Sequence, residues 1–97
     1  MRIYISGGMS KYSEGEITRR FGVAENVLKK EGYKVFNPAR WRWFLRYVPY
    51  KVALVFDICM LALCDRIYML DGWIDSPGAT AEKTFADAVG MVKVYER

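Results

Sequence analysis

One acid of this 97-residue chain sits where an acid is costly. Ser76-Pro77 reads as an N-cap and a first helical residue, a pairing that helix starts favour, and the helix it opens carries Glu82. At roughly 100° per residue, Ala81, Phe85, Ala88 and Val89 fall on one apolar arc, with Glu82 inside it. Lys83, Thr80, Asp87 and Thr84 take the opposite, solvated side. A carboxylate on an apolar face costs several kcal/mol unless it is paired or wet. Helical side chains lean toward the helix N-terminus, so Glu82 leans over Gly78 and Ala79, both small enough to leave room for a ligand. The plainer alternatives are a salt bridge to a core-facing arginine, or a helix twisted enough to wet the position. The chain has no histidine. Imidazole triads, imidazole metal ligands and imidazole acid–base work are therefore excluded, and catalysis would fall to carboxylates, Tyr, Lys, Cys or Ser.

A second acid stands out in the same way. Asp57 is the one charge in the apolar run 52–64, and on a buried helix it needs a partner. It is either a functional carboxyl or a structural hydrogen-bonding group. Asp65 reads as a turn or cap residue. Trp73 and Asp75 lie in the loop before the Glu82 helix, where Trp73 would stack on a base or close a pocket, or simply pack the loop onto the sheet. Ser6-Gly7-Gly8 follows a strand. Its glycines would let backbone N–H groups approach a phosphate or a sugar, although a tight turn alone uses the same residues and the pattern matches no established phosphate loop.

The elements that must position these groups follow from periodicity. Residues 2–6 read as a first strand, and Ser13 with Glu16 forms a capping box. The helix it opens puts Ile17, Phe21, Ala24, Val27 and Leu28 on one face and stops at Gly32. A short strand over 33–36 closes at Asn37-Pro38. Residues 39–50 are aromatic and basic, a short helix or ordered loop. The run 52–64 is apolar nearly all round and predicts a buried helix. A third strand over 66–70, the helix over 77–89 with Gly90 as its stop, and a last strand over 92–95 complete the chain. Strands alternating with helices predict one α/β domain over 1–97: an open, flavodoxin-like or Rossmann-like parallel sheet with helices on both faces. Right-handed crossovers give strand order 2-1-3-4. Ligands bind beyond the carboxyl ends of such strands where the order reverses, here between the first and third. The loops 6–10 and 71–76 converge there, and Glu82 faces them.

Composition sets outer limits. Hydrophobic residues make up 53% and aromatics 15% of the chain, enough for a real core. Met1-Arg2-Ile3-Tyr4 enters a strand-like run directly rather than a signal peptide, and 52–64 is too short to span a bilayer. Cys59 and Cys64 form no zinc or CxxC pattern and read as free thiols of a reducing, cytoplasmic setting. The net charge is +4. Arg40, Arg42, Arg46 and Lys51 share a segment without acids, which suits phosphate contact. Its interleaved aromatics, Trp41, Trp43 and Phe44, read first as a lid or an oligomer interface, and only then as a nucleic-acid surface.

On these residues the chain resembles the nucleoside 2-deoxyribosyltransferase superfamily, closest to a branch of small phage and bacterial proteins. The matching stretches are IYISGGM at 3–9, EGYKVFNP at 31–38, Asp57 eight residues before Asp65, and DGWIDSPGATAEKTFADAVG at 71–90. Only 40–51 falls outside the likeness. The resemblance implies a Glu nucleophile at Glu82 that attacks C1′ of a 2′-deoxynucleoside or its monophosphate. A deoxyribosyl ester forms, and the sugar passes to another base or to water. It implies Tyr4 beside the nucleophile and Asp57 as the acid of the preceding helix. The chemistry fits the composition: a carboxylate stabilises and traps an oxocarbenium-like centre, a second carboxyl such as Asp57 or Asp75 supplies the proton the departing base needs, and neither metal nor cofactor is required. The expected site is thus Glu82 and Asp57 as catalytic groups, with Tyr4, Ser6, Gly7, Gly8, Trp73, Asp75, Ser76 and Gly78 around the substrate. In the active transferases an acid stands six residues before the nucleophile. Here that position is Ser76, with Asp75 adjacent.

A non-catalytic nucleotide-binding accessory protein is the alternative, and a nucleic-acid-binding protein the less favoured one. A homo-oligomer is expected, because a four-strand sheet in so short a chain leaves edges and aromatic surface to cover.

Overall fold

The computed structural model describes residues 1–8 and 12–96. Strand β1 is Arg2–Ser6, helix α1 Glu14–Lys30 and strand β2 Lys34–Phe36. A 3-10 helix, Pro38–Trp41, leads into the short helix α2, Arg42–Leu45. Helix α3 is Tyr50–Ala62, strand β3 Arg66–Met69, helix α4 Pro77–Ala88 and strand β4 Val92–Tyr95, with a second 3-10 helix at Trp73–Asp75. The four strands form one parallel sheet in the order β2-β1-β3-β4. The order follows from right-handed crossovers. α1 carries the chain one way, while α3 and α4 carry it back across the other face.

Alternation along β1 divides the core in two. Ile3 and Ile5 face α1 and pack with Ile17, Phe21, Ala24, Leu28 and Leu70. Tyr4 faces the other way and packs with Leu61 of α3, Ile67, Met69 and Ala86 of α4. Register sets Tyr4 opposite Ile67 and Ser6 opposite Met69. The terminal signals act as read. Ser13 Oγ accepts from the backbone N–H of Glu16, Ser76 Oγ accepts from that of Ala79 at 3.3 Å, and Gly32 and Gly90 take the left-handed backbone past α1 and α4.

Three expectations need correction. The helix at 52–64 starts at Tyr50 and is not buried: Leu61 is its one buried residue, while Val52, Val55 and Leu63 are exposed. A helix apolar all round has no preferred face, and a four-strand sheet covers only one of its stripes. On α4 the buried residues are Ala79, Glu82 and Ala86, while Ala88 and Val89 are exposed. The helix ends at Ala88, so the arc drawn through its last residues ran past the packed surface. On α1 Val27 is exposed and Glu25 is buried in its place. Among the described residues no helix is long and apolar enough to cross a membrane.

Candidate active site

Two β1 residues, i and i+2, point at one carboxylate. Tyr4 and Ser6 share the face that looks toward α4, and both are fully buried. The Tyr4 hydroxyl donates to Oε2 of Glu82. Ser6 Oγ donates to Oε1 of Glu82 at 2.7 Å. Both oxygens are therefore held, and the carboxyl plane is fixed. Glu82 is only 6% exposed. Among the described residues its side chain meets no arginine, only two neutral donors. Neutral donors orient the group without cancelling its charge. Burial accordingly pushes the Glu82 carboxyl up to about 7, the Tyr4 and Ser6 hydrogen bonds pull against that, and the like charge of Asp57 adds to it. Burial, and then the Glu82 and Asp57 carboxylates, hold the Tyr4 phenol well above its ordinary value, so it stays protonated and donates. Its ring stacks on Phe36 at 5.5 Å, which fixes it independently of the hydroxyl.

Glu82 lies on the wall of a cavity of about 600 Å³. This is the size range of sites for small ligands, roughly 300–1,000 Å³. Tyr4 and Gly7 form its floor, and the α4 start, Ser76 to Ala79, one side. Ala53, Leu54 and Asp57 of α3 form another. Pro38, Arg42, Leu45, Arg46, Val48 and Tyr50 close it from the segment after β2. It thus sits beyond the carboxyl end of β1, where the strand order reverses.

Asp57 is the second acid on this wall. Its Oδ1 is buried and has no hydrogen-bond partner among the described residues. Burial raises its carboxyl to about 6. An orphaned buried carboxylate oxygen in a cavity wall is an unmet demand for a donor.

The remaining expected site residues divide. Ser76 and Gly78 line the cavity, and a Cβ on Gly78 would lie 3.4 Å from the Tyr50 hydroxyl. Gly7 also lines it, but a Cβ there would stand 2.8 Å from Cβ and Cδ1 of Leu70. Packing against Leu70 therefore demands glycine at this position, whatever binds. Gly8 is buried beside Ser76, its missing Cβ 3.3 Å from that of Ser76. Met9 and Ser10, the rest of that loop, lie outside the described residues. Trp73 and Asp75 are not in the cavity lining. Trp73 packs on Tyr95, with ring centroids 6.4 Å apart and the Lys83 ammonium 5.6 Å from its own centroid, so its packing role is the one the structure shows. Asp75 is exposed.

The family described as Domain of unknown function (DUF4406) matches residues 1–95. The chain belongs to the DUF4406 family. Neither the curated proteins nor the solved structures give a match to it. The family match takes in every residue of the cavity wall.

Two features of this DUF4406 domain escaped the sequence reading. Tyr50 is a wall residue, signalled only by its place at a helix start after Pro49. Glu25 is buried and fully engaged. Arg40 meets it twice, at 3.0 and 2.7 Å, Asn37 Nδ2 donates at 3.0 Å, and Lys29 Nζ lies 2.7 Å away. Against the cost of burial, these donors, Arg40 first, hold the Glu25 carboxyl down at about 2. Arg40 is thereby committed to structure, pinning the turn that carries Pro38 to the cavity. Arg42 and Arg46, by contrast, reach the cavity wall.

Proposed function

We propose that the domain cleaves the N-glycosidic bond of 2′-deoxynucleosides or their monophosphates through Glu82. The observation that carries the reading is the buried Glu82 carboxylate, gripped by Tyr4 and Ser6 on the wall of a cavity the size of a nucleotide. The likeness of 3–9, 31–38 and 71–90 to the nucleoside 2-deoxyribosyltransferase superfamily supports the same reading.

The steps follow from the two acids. Ionised Glu82 attacks C1′ as the bond from C1′ to the base nitrogen breaks, and the bonding pair leaves with the base. The base nitrogen needs a proton, which Asp57 supplies. A deoxyribosyl ester of Glu82 remains. Water or a second base then attacks C1′, the ester bond breaks, Glu82 recovers its charge and Asp57 recovers a proton. Tyr4 and Ser6 hold the carboxylate at a fixed angle, so little reorganisation is left for the reaction itself. Asp75, exposed and off the wall, drops out as the acid.

The test is incubation with each common deoxynucleoside and its monophosphate, with and without a foreign free base, read by chromatography and intact mass. Free base marks hydrolysis, and a new deoxynucleoside marks transfer. No base release, no exchange and no deoxyribosyl adduct across the whole set would overturn the reading. Nucleotide binding that persists without turnover would establish a binding module instead.

A further inference from the structure

The cavity is polarised. Its two acids belong to the sheet-facing sides of α3 and α4, and Glu82 is buried. Among the described residues its cations are Arg42 and Arg46, of the segment that follows β2, and Arg46 is exposed. Between them the wall is apolar: Pro38, Leu45, Val48, Ala53 and Leu54. A neutral nucleoside would use the acids and the apolar wall but leave the cationic end without purpose.

Arg46 carries the argument. Among the described residues it makes no ion pair, and its guanidinium lies over the Tyr47 ring, 5.4 Å from the centroid. Arg42 adds a second guanidinium, paired with Glu14 at 3.0 Å across an exposed contact. Such surface pairs contribute roughly 0–1 kcal/mol, so the Glu14 pair by itself is a weak competitor for a bound dianion. Arginine is the side chain suited to phosphate, because its planar fork meets two oxygens at once.

We infer that the substrate carries a terminal phosphate monoester, held at the cavity mouth by Arg46 with Arg42, so that the domain takes deoxynucleoside 5′-monophosphates in preference to nucleosides. This rests on the Glu82 reading for the orientation of the sugar, with C1′ inward and the phosphate outward. A phosphodiester at a DNA end offers related chemistry, but one negative charge fewer and a bulky continuation that the cavity walls must accommodate.

Binding is measured by calorimetry on the full chain carrying Glu82→Gln, which retains ligands without turnover. The ligands are a deoxynucleoside, its 5′-monophosphate and a short single-stranded oligonucleotide. The monophosphate is expected to bind at least tenfold more tightly than the nucleoside, with an advantage that shrinks as salt rises. Arg46→Gln is expected to bring the two affinities together, and Arg46→Lys to restore part of the difference. Circular dichroism identifies any variant that fails to fold, and the salt dependence on the Arg46 background then decides alone. Equal affinity for nucleoside and monophosphate, tighter binding of the oligonucleotide, or no binding of any ligand overturns the inference. The outcome is separable from the chemistry. Monophosphate binding without base release by the native chain sinks the glycosidic reading and leaves the phosphate site. Base release that is equally fast from nucleosides does the reverse.

Discussion

Ser6 and Glu82 are 76 residues apart in sequence, and the hydroxyl of one holds the carboxylate of the other at 2.7 Å. The contact forms because β1 is paired with β3 in a register that sets Ser6 opposite Met69, while α4 returns over the same face. Removing the hydroxyl leaves one buried carboxylate oxygen short of a donor. Ser6→Ala is therefore expected to raise the Glu82 carboxyl further, which shrinks the share of the pair with the proton on Asp57 and displaces the upper limb of the pH–rate profile to higher pH. Turnover should fall about 10–100-fold, the usual weight of one hydrogen bond to a charged group, about 1.5–3 kcal/mol. Tyr4→Phe should act in the same direction, with its ring still stacked on Phe36.

The two cavity acids titrate as a pair, near 6 for Asp57 and near 7 for Glu82. The productive form has its one proton on Asp57 with Glu82 ionised. Because the Glu82 carboxyl lies higher, most of the singly protonated pair holds the proton on Glu82, and the productive form is the minor arrangement. The rate of base release should follow a narrow bell centred between these values. Asp57→Asn should remove the fall at higher pH and slow the release of poorly leaving bases most, as read by comparing bases of different acidity.

Stability should depend on pH through the same groups, with the sign opposite to that of a paired acid. The folded chain binds a proton to Glu82 more tightly than the unfolded chain does, so this group favours folding at low pH and loses that contribution as pH rises from about 4.5 to about 7. The loss amounts to about 3 kcal/mol by the usual conversion. Glu25 runs the other way: held down at about 2, it stabilises the fold above about 4.5 and gives that up as pH falls toward 2. Maximal stability should therefore lie in mildly acidic solution. Glu82→Gln should flatten the decline between pH 5 and 8 in denaturant titrations.

The fold and the central acid were legible because their signals are periodic. The wheel set Glu82 inside an arc of Ala81, Phe85, Ala88 and Val89, which turned the acid inward although the packed residues beside it are Ala79 and Ala86, and the strand order needed only alternating elements and crossover hand. The walls were less legible. Residues 42–50 show no period, so their charge and aromatics pointed to a lid or phosphate contact without separating Arg42 and Arg46, which reach the cavity with Tyr50, from Arg40, which turns to Glu25. Ser6 was read with its glycines as a backbone device, although its two-residue spacing from Tyr4 already placed it on the face of Glu82. Trp73 drew attention as an aromatic in a loop, and loop aromatics pack more often than they bind.

Gly7 offers a test of packing separate from chemistry. Gly7→Ala drives a methyl into Leu70, and should cost about 1–3 kcal/mol as overpacking does. Leu70→Ala in the same chain should recover part of that cost, so that the double-mutant cycle shows a coupling of opposite sign to the single effects. Additive effects would mean that the contact with Cγ and Cδ1 of Leu70 does not set the cost, because the Leu70 Cβ, also 2.8 Å away, stays in the variant.

The most direct measurement is the rate of base release from deoxynucleoside monophosphates by the native chain and by Glu82→Gln at the same pH. The amide keeps the shape of Glu82 but cannot form the ester. The account predicts measurable release by the native chain and a loss of about a thousandfold or more in the variant, the scale expected when a nucleophile is removed. Release that survives Glu82→Gln undiminished, or a native chain that releases no base from any substrate, would contradict it.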